Sequence, residues 1–309
     1  MSLIIENKAY SASEINFSIN DIVVRQEPRK ILMCDPEYFD IVDVKNVHME
    51  GNIGILDKKL ARKQWEDLRA IYQSFITEGI LEEVYTIAGV EDCEDMVFTA
   101  NQSFPWILNG EKVVVMSKMR HESRQREVPY FETFYQSKGY KILHLQEAKL
   151  FEGMGDTIPH YGKRLLYGGY GHRSDTIAYK EIANILQVPV VTLELVDDRF
   201  YHLDTCFIPI NEETVLLCPV AFSGEGLEAI RKLFNNIIEV PVEEAETFFS
   251  LNAHCINDQK TGKKKAVIHP GSTVTKNALI SYGYEVIETD TSEYMKSGGS
   301  VFCMKMVLY

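Results

Sequence analysis

Phe200-Tyr201-His202-Leu203-Asp204-Thr205-Cys206-Phe207 places a histidine, a carboxylate and a thiol at alternate positions. In an extended strand side chains alternate with period 2. Tyr201, Leu203 and Thr205 are then expected on one face, and His202, Asp204 and Cys206 on the other. A carboxylate beside an imidazole fixes its tautomer and raises its basicity. The same pair also serves as a plain structural hydrogen bond, so it acquires chemistry only with a nucleophile. Cys206 on the same face and the distant Cys303 are both candidates.

Outward from this stretch the chain repeats itself. Strands are expected at 30–34, 81–87, 96–101, 112–116, 141–145, 165–171, 188–195, 215–219, 236–240, 265–269, 285–289 and 298–306. Helical spacing of Leu60, Ala61, Trp65, Leu68, Ile71 and Tyr72 marks a helix over 56–75. Further helices are expected at 129–139, ending on Gly139, and at 176–186, 224–233, 243–249 and 274–282. A strand–strand–helix–strand rhythm recurs roughly five times, which describes an α/β protein of repeated units sharing one core. Residues 1–27 read as an irregular or strand-bearing extension. Residues 28–309 contain no low-complexity linker and read as a single domain.

Composition narrows the function classes. The chain has 309 residues, 32 Lys+Arg against 45 Asp+Glu, and a net charge of −13. An acidic surface disfavours nucleic acid or an anionic membrane as the main partner, and Lys263-Lys264-Lys265 is better read as a solvated turn. The six cysteines contain no CxxC pair, which argues against zinc ribbons and a disulfide scaffold. No basic region followed by an apolar run opens the chain, and no stretch reaches the length of a membrane span. The simplest compartment is a reducing cytoplasm. A homo-oligomer is compatible with the sequence, which does not specify one.

The remaining candidates each have a bland alternative. Cys303 follows Gly298-Gly299 and sits three residues into the last expected strand; a free cysteine is also a small buried hydrophobe. Phe151-Glu152-Gly153-Met154-Gly155-Asp156 sets two carboxylates around two glycines, suited to a cationic ligand or to a polar turn. It lacks the third glycine of a dinucleotide fingerprint. Arg124 and Arg173 could clamp a carboxylate bidentately or be solvated. Asn46 and Asn101 each end an apolar segment, where an asparagine can cap a turn.

Taken together, these residues resemble the guanidine-modifying hydrolases of the pentein superfamily: arginine deiminase, dimethylarginine dimethylaminohydrolase, the amidinotransferases and bacterial arginine dihydrolase. The matching segments are Asn46 with Met49-Glu50-Gly51-Asn52, Asp95 to Asn101, Arg124-Gln125, Phe151 to Asp156, Gly169 to Ser174, Arg199 to Phe207, and Gly298-Gly299 with Cys303. The catalytic domain of arginine dihydrolase is the nearest look-alike. Asn101, where deiminases and dimethylarginine hydrolases carry Asp, favours that branch. Val47-His48, Gln102-Ser103 and Met304-Lys305 depart from its pattern.

The resemblance implies a five-bladed pseudosymmetric α/β propeller of ββαβ units, the pentein fold, with the site at its centre. It implies Cys303 as nucleophile, His202 as general acid/base and Glu152 as the carboxylate that holds the guanidinium and orients His202. Asn46 and Asn101 would contact the guanidinium, and Arg124 and Arg173 the substrate α-carboxylate. Asp156 and Asp204 would support the site or touch the substrate. The implied reaction is hydrolysis of a small guanidino compound, most simply arginine, to ornithine, ammonia and carbon dioxide, or to citrulline and ammonia. Dimethylarginine hydrolysis, amidino transfer and a catalytically silent binding protein are the alternatives. Neither a metal nor a cofactor is called for.

Overall fold

In the computed structural model, which describes residues 5–309, five small sheets carry one repeated pattern. Each sheet carries a three-stranded unit, the first strand antiparallel to the second and the second parallel to the third, and one sheet gains a fourth strand. A parallel pair needs a crossover. Helices supply it in every unit: Lys58–Thr77, Val128–Ser137, Thr176–Ile185, Gly224–Leu233 and Val274–Ser281. The rhythm expected from the sequence is therefore present, as a pentein-type α/β propeller.

Local chemistry explains the elements. Asp57 caps the first crossover helix by accepting from Lys59 N and Leu60 N, both at 3.0 Å. Ala61, Trp65, Leu68, Tyr72 and Phe75 then fall on one buried stripe at helical spacing. The strands Leu166–Tyr170 and Val190–Glu194 are short apolar runs buried on both faces, as expected for parallel pairs covered by helices.

The ends of the chain close the ring. Met306–Leu308 runs antiparallel to Lys30–Cys34, pairing Met306 with Leu32. The last strand thus completes the first blade, whose third strand is Glu83–Ile87. The N-terminal extension is built into the body. Ala9–Tyr10 adds a parallel fourth strand beside Val190–Val191, and Ile15, Phe17 and Ile22 are buried in the same cluster. Residues 1–4 of that extension lie outside the described residues.

Three expected strands are instead turns, and all three belong to the site. Residues 96–101 are a succession of turns before Ser103–Leu108. The carbonyls of Asp95 and Phe98 accept from the buried Arg124 guanidinium instead of a neighbouring strand. Residues 200–207 are not one strand. Asp198–Phe200 and Leu203–Thr205 are single 3-10 turns, and extended pairing begins only at Phe207–Pro209. The Thr205 hydroxyl and amide both donate to the His202 carbonyl, which curls the backbone. Cys303 likewise lies in the turn 301–304, before the strand Met306–Leu308.

Candidate active site

These turns meet at one end of the inner strands, the first strand of each unit: Ser103–Leu108, Thr157–Pro159, Phe207–Pro209, His254–Asn257 and Met306–Leu308. Cys303 lines a pocket with Asn46, Asp95, Phe98, Asn101, Arg124, Arg173 and Tyr201. The thiol is held from two sides. Asp204 Oδ2 lies 3.2 Å from Cys303 Sγ, and Asn252 Nδ2 donates to the sulfur at 3.1 Å. Asn252 Oδ1 accepts from Ser300 N and Cys303 N at 3.0 and 3.2 Å, fixing the turn that carries Cys303. Burial first, and the Asp204 charge second, push the Cys303 thiol well above its ordinary range. Burial also pushes Asp204 up to about 7, although the thiol hydrogen bond opposes this. The resting geometry is a thiol donating its proton toward a carboxylate.

His202 and Glu152 form the second half. His202 Nε2 lies 2.7 Å from Glu152 Oε2, and both side chains are buried. A carboxylate is an acceptor, so Nε2 carries the hydrogen and Nδ1 keeps the lone pair. Glu152 Oε1 accepts from Arg120 N at 2.9 Å, and Oε2 faces Arg173 Nη1 at 3.2 Å. Burial alone would raise the Glu152 carboxyl. The Arg173 charge and the His202 hydrogen bond outweigh burial and hold it well below the usual carboxylate range. Burial pushes His202 down to about 4, against the pull of Glu152. The site therefore holds a neutral imidazole beside an ionised carboxylate.

The expected pairing of His202, Asp204 and Cys206 on one face is corrected by this arrangement. The 3-10 turn sends His202 to Glu152, Asp204 to Cys303, and Cys206 back toward the carbonyls of His202 and Leu203. Burial raises the Cys206 thiol well above its ordinary range, and Cys206 does not line the pocket.

Arg124 lines the pocket. Its Nε and Nη2 donate to Glu127, Nη1 to Asn101 Oδ1 at 2.9 Å, and Nη2 also faces the Asp95 and Phe98 carbonyls. These bonds hold Asn101 in place beside Cys303. Arg173 lines the pocket while donating to Glu152 and, at 2.7 Å, to the Lys45 carbonyl. Asp156 is a bracket behind the site. Its carboxylate accepts from Ser174 Oγ at 2.7 Å and Leu203 N at 3.2 Å, and it does not line the pocket.

Asn46 caps the turn Val47–Met49 through His48 N and donates to the Ser297 carbonyl, both at 3.0 Å. Asn101 Nδ2 is buried with no hydrogen-bond partner among the described residues. It packs so tightly on Gly155 that a Cβ there would collide with it. Sequence reasoning assigned no role to Lys45, Asp95 or Asn252. Lys45 Nζ is shared by Glu94 and Asp95 at 2.7 and 3.0 Å and also pairs with Asp43. Asp95 Oδ2 has that ion pair and no hydrogen bond among the described residues. Asp95 was visible in the Asp95–Asn101 segment, whereas nothing in the local sequence marks Asn252. The enclosed space is only about 20 Å³, room for about one water.

The chain is similar to several known proteins. The sequence profile of the eukaryotic N,N dimethylarginine dimethylhydrolase family matches residues 35–309. The bifunctional arginine dihydrolase/ornithine cyclodeaminase ArgZ of Synechocystis sp. is 35% identical over 278 residues, which cover 90% of this chain and 37% of that protein. The corresponding protein AgrE of Nostoc sp. is 32% identical, again over 37% of its length. This chain thus spans little more than a third of those relatives. The N(G),N(G)-dimethylarginine dimethylaminohydrolase of Mycobacterium tuberculosis is 33% identical, covering 91% of this chain and 86% of that one. Among solved structures, the ArgZ N-terminal domain with substrate bound to a cysteine-to-serine variant superposes with a TM-score of 0.81 at 33% identity. That match covers 91% of this chain and 98% of that domain. The chain therefore belongs to the dimethylarginine dimethylaminohydrolase family of pentein-type guanidine hydrolases.

Proposed function

We propose that this chain hydrolyses the guanidino group of arginine, or of a close derivative, through a covalent adduct on Cys303. The observation that carries this reading is a buried thiol opening onto a pocket that also holds Asp95 and Asn101, with the His202–Glu152 pair packed at the same end of the inner strands. A guanidinium is resonance-stabilised and a poor electrophile, so a sulfur nucleophile suits it. An entering guanidinium favours ionisation of the thiol, whose proton passes to a basic group of the site. The thiolate attacks the central carbon, and His202 delivers a proton to the departing nitrogen. Ammonia leaves an S-alkylthiouronium on Cys303. Water, deprotonated by His202, adds to that carbon, and the thiolate departs from a ureido product, citrulline. A second round on the ureido carbon releases ornithine, ammonia and carbon dioxide. Glu152 keeps His202 oriented and stabilises it when it is charged.

Lys45, Asn46 and Met49 of the segment 45–52 line the pocket. Arg173 to the Lys45 carbonyl, His48 to the Arg199 carbonyl and Asn52 to the Lys296 carbonyl tie that segment to the rest of the site.

Dimethylarginine hydrolysis is the second reading, favoured by the profile that matches residues 35–309. Mass spectrometry of products from arginine and from asymmetric dimethylarginine separates the two. Arginine should give citrulline or ornithine with ammonia; the methylated compound would give citrulline with dimethylamine. Cys303→Ser should abolish turnover of either while retaining binding. Failure to consume any compound in a guanidino panel would overturn the enzymatic reading and leave a pentein-fold binding protein.

A further inference from the structure

The inner strands enclose a second cavity, of about 330 Å³, behind the nucleophile's turn. It shares no lining residue with the pocket of Cys303. The thiol opens to one, and its neighbours Phe302 and Lys305 line the other. All five blades contribute to the walls, whose apolar part is Pro105, Ile158, Phe207, Ile208, Cys255 and Val307, with polar and charged side chains making up the rest. Of the charges in the lining, Arg25 is paired with Glu27 and Arg29 with Asp258, while the exposed Lys260 has no ion pair among the described residues.

Lys305 fits neither case. It is 0% exposed, and its Nζ has no hydrogen-bond partner among the described residues. The Phe302 ring lies 3.2 Å from the nitrogen. A buried ammonium without an oxygen acceptor is costly, and one aromatic face replaces only part of its hydration. The titratable groups that act on it are Asp204, Cys303, Cys255 and His254. Asp204 is engaged with the thiol, and burial raises Cys303 and Cys255 and keeps His254 neutral. Burial pushes the Lys305 ammonium down to about 7.

We propose that this cavity binds a small organic carboxylate with an apolar body, its carboxylate on Lys305 and its hydrocarbon against Phe207, Ile208 and Val307. Among the buried cations of the lining, Lys305 alone has no acceptor among the described residues, and it selects a negative charge. The apolar walls select hydrocarbon over a hydrated phosphate, because the Arg25 and Arg29 guanidiniums of the lining, whose Nε atoms lack hydrogen-bond partners among the described residues, are already neutralised by Glu27 and Asp258. The volume is at the small end for ligand pockets. An anion beside Lys305 favours its charged form, so binding near neutral pH takes up protons.

Isothermal titration of the full chain with hexanoate, benzoate and inorganic phosphate tests this, in two buffers of different ionisation enthalpy. We expect hexanoate or benzoate to saturate one site with net proton uptake, and phosphate to give no saturable heat. Lys305→Met should weaken binding at least tenfold. Ile208→Trp, which fills the cavity while leaving Lys305 in place, should do the same and decides the matter if the first variant does not fold. Excess arginine should leave the affinity unchanged. The proposal is overturned if neither carboxylate saturates, if the variant that folds binds as the unaltered chain does, if phosphate binds equally well, or if arginine competes.

Discussion

Asn252 is fully buried, and its side chain works in four directions. It accepts from two amides of the nucleophile's turn and donates to the Asp204 carbonyl and the Cys303 sulfur. Those partners fix the amide's orientation, because Oδ1 meets two N–H groups and Nδ2 meets a carbonyl. Asn252→Ala leaves two buried amides without acceptors, a loss of about 3 kcal/mol in urea denaturation. It should also slow alkylation of Cys303 by a cationic haloacetamidine, because the turn no longer presents the sulfur to the pocket. Unchanged stability and unchanged alkylation would refute this placing. Cys303, His202 and Glu152 were legible in the sequence because each is a reactive residue type inside a recognisable segment. Asn252 was not, because its partners lie 48 and 51 residues away in the chain.

At the scale of elements, the site is made of turns and the scaffold of strands and crossover helices. The crossover helices were readable from their amphipathic spacing, as Ala61 to Phe75 illustrates. The site segments were misread because Val97-Phe98-Thr99 and Phe200 to Phe207 have strand-like composition. Their backbone partners are side chains from elsewhere: Arg124 for the first segment, Asp156 for the second. Tertiary hydrogen bonds of this kind override local propensity. Gly298 shows how closely the turns approach. Its φ is +87°, and a Cβ there would lie 2.6 Å from Tyr201 Oη and 2.7 Å from Asn46 Oδ1. Gly298→Ala should cost about 1–3 kcal/mol from backbone strain alone. Displacing Asn46 should also raise KM for the guanidino substrate. Steady-state kinetics beside urea denaturation check both effects, and unaltered values for both would show that the turn accommodates a side chain.

At the scale of the whole molecule, closing five blades into a ring makes the seams between them part of its stability. His160 marks one seam. It follows the strand Thr157–Pro159 of the third blade, contacts Tyr167 Oη at 2.8 Å, reaches the Glu212 carbonyl at 3.0 Å and stacks on Phe234 of the next unit. The carbonyl requires a hydrogen on Nε2, and burial favours the neutral ring, which leaves Nδ1 to accept from the tyrosine. Burial accordingly pushes His160 from 6.5 down to about 4. A base with a depressed folded pKa stabilises the fold above its unfolded pKa, and that contribution disappears as pH falls from 6.5 through about 4. Glu127 and Asp204, raised to about 7 by burial, act in the opposite sense: their contribution is present at low pH and lost as pH rises through about 7. The total pH profile mixes these signs, so a paired measurement is needed to isolate the seam. Gln at position 160 can donate and accept without titrating. The stability advantage of the unaltered chain over His160→Gln should shrink by about 2.5 kcal/mol between pH 7.5 and 4.5 in urea denaturation. A difference that stays flat across that window would mean that the imidazole is not held neutral between the blades. The seam would then owe its stability to the stacking on Phe234, which does not titrate.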